Sequence, residues 1–407
     1  MREDKGQNRP VIEWLRRVDP ARAFLWSEDR VWTYGESLAE VGARLTERSR
    51  VITPSLSVES VFDVVAGMAG GGATVIGPQL DPTIGTADAT LVVFTSGTTG
   101  PPRGVRLTEA NLRAASAASA AHLGHDTEDN WLLAMPLHHV GGLSIVVRQI
   151  FSGGSVTLLP EFDPATFTRA MRGRVSMVSV VPTMLRRVIG LGPFHDLRAV
   201  LVGGGPIPDG LLEEAEATGL PVLPTYGMTE TFGQVATLKP GSIVERKSHP
   251  LPGIRLRIEP DGRIAIRGEQ VSPGYVGQPD RADPWLVTSD LGTLDADGAL
   301  RVLGRADTVI VTGGENVDPA RVEEVIRGHA GVDEVVVVGV PDEEWGEVLV
   351  AVYSGGAPVT ELRDWVTARL PGFMVPKRWA VADEIPRTAI GKPDRAASLA
   401  LGLDADD

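Results

Sequence analysis

The chain contains no cysteine. That absence excludes a disulfide, a catalytic thiolate and a cysteine-held metal, so any thioester chemistry must draw its thiol from another molecule. No stretch approaches the roughly 18 consecutive apolar residues of a membrane helix. The opening MREDKGQNRP also lacks the apolar segment of a secretory signal. Both absences lead to the expectation of a cytoplasmic protein with no membrane insertion. Positive charge is short as well, with 39 Lys and Arg against 53 Asp and Glu and a net charge of −14. Such a field argues against nonspecific nucleic-acid binding, although a few placed cations can still hold anions. What is present is 407 residues with 43% hydrophobic content, which allows about two or three domains and a sizeable core.

The chain is organised around residues 91–106, LVVFTSGTTGPPRGVR. Leu91 to Phe94 suit a buried strand, and Thr95-Ser96-Gly97-Thr98-Thr99-Gly100 cannot continue it. Two glycines, four hydroxyls and successive backbone N–H groups make a nest for an oxyanion, phosphate above all. Pro101-Pro102 stiffens the exit, and Arg103 adds a cation with bidentate donors. The same residues also suit a plain Gly/Thr hairpin turn. They are not a Walker A loop.

Strand and helix patterns alternate on both sides of this loop, which predicts an α/β sheet. Before it, a strand leads into a helix opened at Thr33, 58–69 has helical periodicity, and 73–77 reads as a strand. After it, Thr108 caps an alanine-rich helix, and a buried strand from Trp131 precedes two histidines and an apolar helix. On that helix Gly141, Ser144 and Arg148 share one face, outlining a narrow slot with a positive end. The other reading is close packing at Gly141-Gly142, with Arg148 snorkelling to the surface or pairing with a surface carboxylate. Strands at 175–181 and 197–202 follow. The second runs into Gly203-Gly204-Gly205, where a flat ligand such as adenine can lie on bare backbone. Residues 253–268 alternate like a β-hairpin around Pro-Asp-Gly. Asp290 reads as a turn residue, and from Thr308 a compact unit of about 100 residues reads as a small α+β domain.

TSGTTGPPRGV closely resembles the phosphate-loop signature of the adenylate-forming superfamily, which includes acyl-CoA synthetases, the adenylation domains of peptide synthetases, and luciferases. YGMTE at 226–230, the Gly304-Arg305-Ala306-Asp307 run and PRTAIGK ending at Lys392 match further motifs of that superfamily, in its order. The resemblance implies a large N-terminal AMP-binding domain over 1–304, of mixed α/β layers with a β-subdomain. It further implies a hinge at 305–307 and a small mobile α+β lid over 308–407. ATP, Mg²⁺ and coenzyme A are the implied cofactor and co-substrates. Thr95, Ser96, Gly97, Thr98, Thr99, Gly100 and Arg103 would hold the phosphates, and Gly204, Gly205, Tyr226 and Gly227 the adenine. By the same resemblance Thr229 lies near the α-phosphate, Glu230 is the Mg²⁺ ligand, and Asp290 and Arg305 bind the ribose. Lys392 is the catalytic lysine, Asp307 the hinge, and Gly313 and Gly314 form the loop presented to coenzyme A. The superfamily normally carries Lys where this chain has Arg103, a change that keeps charge and alters reach and donor geometry. The region before the loop is also short for the superfamily.

PLHHVGGLSIVVR, VVPTML and LVGGGPIP are most similar to the o-succinylbenzoate–CoA ligases of menaquinone biosynthesis. Their aryl substrate has a second, unreacting carboxylate, for which Arg148 is the candidate, with His139, Gly142 and Ser144 completing the acyl pocket. Other readings are a CoA ligase for another aryl or medium-chain acid, and an adenylating enzyme that loads a carrier protein. A different class is a nucleotide-binding sensor or scaffold without catalysis, against which Glu230, Asp290 and Lys392 argue.

Overall fold

The computed structural model describes residues 10–77, 88–95, 102–194, 196–207, 209–241, 247–387 and 393–403. Its middle is a run of parallel strands, in spatial order Ala23–Trp26, Ser155–Leu158, Asn130–Leu133, Met177–Val180, Ala199–Val202 and Val222–Met228. Parallel neighbours need crossover connections. Here they are the helices Val140–Ser152, Pro164–Met171, Pro182–Val188 and Asp209–Ala217.

Alternate residues of these strands enter two separate cores. Trp131, Leu133, Met177, Leu201 and Leu223 pack on the side of the Val140–Ser152 helix. Leu132, Val178, Val200, Val202 and Val222 pack on the side of the other three crossover helices. Both faces are therefore apolar, which is why these strands read as unbroken apolar runs. The chain leaves Asn130–Leu133 outward to Ser155–Leu158 and then crosses back to Met177–Val180. Such a reversal opens a crevice beyond the carboxyl ends of the strands.

The sheet continues antiparallel through Gly233–Leu238, Ser248–Pro250, Leu300–Arg305, Leu286–Leu294, Arg263–Arg267 and Arg255–Ile258. The hairpin expected at 253–268 is present, with Arg255 opposite Arg267. Asp290 is a correction. It lies within the strand Leu286–Leu294, opposite Arg305, rather than on a turn. Asp-Leu-Gly suits a turn locally, but pairing with Leu300–Arg305 overrides that preference, and a register shift between Leu291 and Gly292 absorbs the glycine.

A second sheet runs in the order Gly274–Tyr275, Arg103–Leu107, Leu91–Thr95, Thr74–Ile76 and Arg50–Ile52. Leu91–Thr95 and Arg103–Leu107 are antiparallel with Thr95 opposite Arg103. The glycine-rich stretch thus connects a hairpin, and Ser96, Gly97, Thr98, Thr99 and Gly100 themselves lie outside the described residues. The flanking helices start where their caps direct. Thr33 forms a capping box with Glu36 before Tyr34–Ala43, and Thr108 forms one with Asn111 before Glu109–Leu123.

A third sheet is built from Ile310–Thr312, Glu315–Val317, Gly346–Ser354, Glu334–Asp342 and Arg378–Val381, with the helices Pro319–Arg327, Val359–Thr367 and Arg395–Leu403. Its core gathers Val337, Leu349, Ala351, Tyr353 and Trp379, giving the small α+β unit expected from Thr308. The last helix was not expected from the sequence. Its Arg395 reaches Glu323 at 2.7 Å, and the same buried carboxylate accepts from the Val337 N–H at 2.9 Å. That long-range ion pair has no local signature. Among the described residues no helix is long and apolar enough to cross a membrane.

Candidate active site

The strand Ala199–Val202 ends in three glycines, and its parallel neighbour runs through Tyr226. A Cβ on Gly203 would lie 2.7 Å from the Thr225 carbonyl oxygen, so this glycine lets the two segments touch. Gly204 has φ +78, the left-handed region that favours glycine. Around Gly205 the space is open, leaving bare backbone beside the tyrosine.

Tyr226, Asp290, Arg305 and Asp307 form one continuous chain. The Tyr226 hydroxyl donates to Asp290 Oδ2 at 2.7 Å, and Arg305 Nη1 donates to Asp290 Oδ1 at 3.3 Å. Arg305 also grips Asp307 through Nε at 2.8 Å and Nη2 at 2.6 Å. Burial, reinforced by the Asp290 charge, pushes the Tyr226 phenol far above its ordinary value. It therefore remains a donor. The hydrogen bonds it donates to Asp307 and the charge of Asp290 hold Arg305 above its ordinary value despite partial burial. The residues read separately as ribose binders and hinge are thus in direct contact.

The next turn presents Thr229 and Glu230. A Cβ on Gly227 would lie 2.2 Å from the Gly233 carbonyl oxygen, so only glycine allows the two strands to approach this closely. Between them Thr229–Thr231 make one 3₁₀ turn, and Phe232 at φ +50 and Gly233 at φ +105 reverse the chain. The Thr231 hydroxyl ties the reversal together at Met228 O, 3.1 Å, and Gly233 O, 2.8 Å. Glu230 is half-buried, and its Oε1 accepts from the Tyr275 hydroxyl at 2.8 Å. The Tyr275 ring in turn lies 4.2 Å from the Arg103 guanidinium carbon. Burial and the Glu230 charge push the Tyr275 phenol up to about 12.

No group of three or more His, Cys, Asp or Glu side chains gathers for a metal among the described residues. A single carboxylate with one oxygen engaged by Tyr275 still fits Mg²⁺, which keeps several waters and takes phosphate oxygens for the rest. Lys392 lies outside the described residues. The described residues on either side of it are joined by the Arg387–Pro393 bridge and by the Asp394 N–H donating to Pro386 O at 2.7 Å, and Arg387 reaches Glu334 at 2.8 and 2.9 Å.

The Val140–Ser152 helix is pressed against the preceding segment. A Cβ on Gly142 would lie 2.4 Å from Met135 O and 2.6 Å from Pro136 O, so this glycine serves the approach of backbone to backbone. Arg148 does not snorkel. It is 4% exposed, lies 5.3 Å over the Trp131 ring centroid, and has no hydrogen bond or ion pair among the described residues. Burial lowers its pKa to about 9, so the charge persists at neutral pH. A Cβ on Gly233 would stand 3.1 Å from Arg148 Nη2 and 3.9 Å from Ser144 Oγ. Arg148 and Ser144 therefore face the same reversal that presents Glu230.

The family described as AMP-binding enzyme matches residues 17–276, and its C-terminal domain family matches residues 321–392. The chain belongs to the AMP-binding enzymes. A 2-succinylbenzoate–CoA ligase of Bacillus cereus is 39% identical over 329 residues, spanning 75% of this chain and 68% of that one. The o-succinylbenzoate CoA synthetase of Bacillus subtilis in complex with its acyl-adenylate intermediate superposes with TM-score 0.87 at 28% identity, covering 95% of this chain and 97% of that one. The same Bacillus subtilis enzyme in complex with ATP and magnesium gives TM-score 0.84 at 28% identity, covering 95% and 98%.

In this AMP-binding enzyme the described candidate residues fall into two groups. Thr95, Arg103, Thr229 and Glu230 border the Leu91–Thr95/Arg103–Leu107 hairpin, and Gly204, Gly205, Tyr226, Asp290 and Arg305 lie along the adjoining strand ends. Gly313 and Gly314 form the turn between Ile310–Thr312 and Glu315–Val317, both at positive φ, with the Gly313 N–H donating to Trp345 O at 2.9 Å. His139 occupies the N-cap position of the Val140–Ser152 helix without a side-chain cap hydrogen bond, its ring 4.3 Å from that of His138. Sequence reasoning missed Tyr275, Gly233, Trp131 and His125. Only Tyr275 had a local signal, an aromatic directly after Ser272-Pro273-Gly274. Trp131 and His125 form the buried backing of Arg148: the Trp131 indole N–H donates to Ser179 Oγ at 3.0 Å, and the His125 ring meets it edge-on at 5.5 Å.

Proposed function

We propose that this AMP-binding enzyme joins o-succinylbenzoate to coenzyme A through an acyl-adenylate. The observation that carries the substrate assignment is Arg148, a buried cation without a carboxylate partner among the described residues, facing Ser144 and Gly233. An aryl acid with a second carboxylate supplies the missing charge. A monocarboxylate would leave it unpaired, at a cost of several kcal/mol.

In the first half-reaction a substrate carboxylate oxygen attacks the α-phosphorus of ATP, and pyrophosphate leaves. The nucleotide lies with adenine between Gly204-Gly205 and Tyr226 and ribose hydroxyls on Asp290 and Arg305. Arg103 and the 95–100 loop take the outer phosphates, and the Thr229 hydroxyl donates to the α-phosphate. Mg²⁺ held at Glu230 neutralises phosphate charge when bound. Lys392 bridges the attacking carboxylate and the α-phosphate, where negative charge concentrates. In the second half-reaction the coenzyme A thiol attacks the acyl carbonyl carbon, the acyl–phosphate bond breaks, and AMP leaves. Residues 1–304 and 308–407 act as two domains, and rotation at 305–307 withdraws Lys392 and brings the Gly313-Gly314 turn to the thiol. The work belongs to the cytoplasm, where ATP and coenzyme A are supplied.

The test is a panel of acids assayed for AMP release with coenzyme A. o-Succinylbenzoate is expected to be used far more efficiently than aryl acids lacking the second carboxylate; equal efficiency with such acids overturns the assignment. Carboxylate-dependent exchange of pyrophosphate into ATP separates this enzyme from a binding scaffold.

A further inference from the structure

Tyr275 touches both a candidate metal carboxylate and the phosphate-loop cation. We infer that it is a positioning residue that holds Arg103 for phosphate and Glu230 for Mg²⁺ while keeping the two charges from pairing with each other. The inference rests on the roles proposed above for Arg103 and Glu230.

The ring is fixed from its own strand. Tyr275 stands opposite Val105 and Gly274 opposite Arg106. The Ser272 hydroxyl donates to Arg106 O at 2.6 Å, and Arg106 reaches Asp280 at 2.5 Å, so the short strand is tied to the Arg103–Leu107 strand on both sides. Its phenol has one donor, and that donor goes to Glu230 Oε1 at 2.8 Å. Its face carries the Arg103 guanidinium at 4.2 Å. Arg103 and Glu230 form no ion pair with each other among the described residues, although both border the same ring.

Two consequences follow from side-chain chemistry. A free arginine beside a carboxylate would form a bidentate pair and remove both groups from the ligand. Tyr275 gives each a weaker partner that a phosphate or a metal can displace or share. Arg103 is otherwise exposed, and stacking limits its rotamers before a nucleotide arrives, lowering the ordering cost of binding. A planar delocalised guanidinium can lie flat on a ring while keeping in-plane donors for phosphate, whereas a lysine ammonium offers a compact point charge. The arginine that departs from the superfamily's usual lysine is thus matched to the tyrosine beneath it.

The experiment is calorimetric titration with Mg²⁺ and α,β-methylene ATP, a non-cleavable analogue at the bond that adenylation breaks. The full-length parent is compared with Arg103→Ala, Tyr275→Leu, their double variant and Tyr275→Phe. Each of Arg103→Ala and Tyr275→Leu is expected to weaken binding about threefold to tenfold, and the double variant no more than the weaker single one. Tyr275→Phe keeps the ring, so nucleotide affinity at saturating Mg²⁺ stays at the parent value while the Mg²⁺ concentration required rises severalfold. Losses that add in the double variant overturn the coupling, as does a Tyr275→Phe affinity as low as that of Tyr275→Leu. Unchanged binding by Arg103→Ala overturns it differently, by removing Arg103 from the nucleotide site. The conservative Phe variant keeps the test decisive should the Leu variant misfold.

Discussion

Arg148 lies over the face of Trp131, 5.3 Å from the ring centroid, with a charge that no carboxylate among the described residues balances. A cation–π contact returns about 2 kcal/mol at a desolvated site, less than the several kcal/mol that burying an ion costs. The difference is available to an anionic ligand.

Replacing this cation by an apolar side chain of similar length separates binding from folding. Arg148→Met is expected to raise the Michaelis constant for o-succinylbenzoate by at least about 30-fold. The Michaelis constant for ATP stays unchanged. Thermal melting remains at or above the parent value, because an unpaired buried charge has gone. A lower melting temperature with unaltered acid kinetics would make Arg148 structural.

Gly233 offers a second view of the same slot. Its φ of +105 disfavours any side chain, and a Cβ would stand 3.1 Å from Arg148 Nη2. Gly233→Ala should lose about 1–2 kcal/mol in denaturant unfolding and should also raise the Michaelis constant for the acid. Loss of stability without the kinetic effect would detach Gly233 from the acyl pocket.

The Tyr226–Asp290 contact predicts a nucleotide effect instead. Tyr226→Phe keeps the aromatic face and removes the donor that holds Asp290 at 2.7 Å. AMP affinity should fall about fivefold, the worth of one such hydrogen bond, with acid selectivity across the panel unchanged. Equal AMP affinity in the two proteins would show that Arg305 alone suffices to place Asp290.

His125 sets a pH dependence of stability. It is buried, neither ring nitrogen has a hydrogen-bond partner among the described residues, and burial with the nearby Arg148 and Arg198 charges lowers its pKa from 6.5 to about 4, against the opposing pull of Asp129 and Asp126. The unfolded chain takes up this proton first as pH falls. Stability from the neutral ring is therefore fully present above about pH 6.5 and is lost on descending to about pH 4, by on the order of 3 kcal/mol. His125→Phe keeps the edge contact on Trp131 and removes the proton site. It should match the parent at pH 7.5 and exceed it by about 2 kcal/mol at pH 5 in urea unfolding; parallel pH curves would rule this out.

Much of the scaffold was legible because the signals are local. The caps at Thr33 and Thr108, the strands at Leu91 and Ala199 and the hairpin around Pro-Asp-Gly each follow from the side chains of one short segment. Asp290 was misread for the same reason: a local turn preference lost to pairing with a strand that arrives later in the chain.

By itself the sequence determined the AMP-binding family, through strings such as TSGTTGPPRGV and YGMTE, and the glycines that a close backbone approach demands, because each depends on residue type within a few positions. Tertiary structure decided which charges meet. Tyr275 reaches Glu230 across 45 positions, Arg395 reaches Glu323, and Gly233 clears the space before Arg148. Such contacts depend on strand order and register, which bring distant segments within a few ångström and leave no period or motif along the chain.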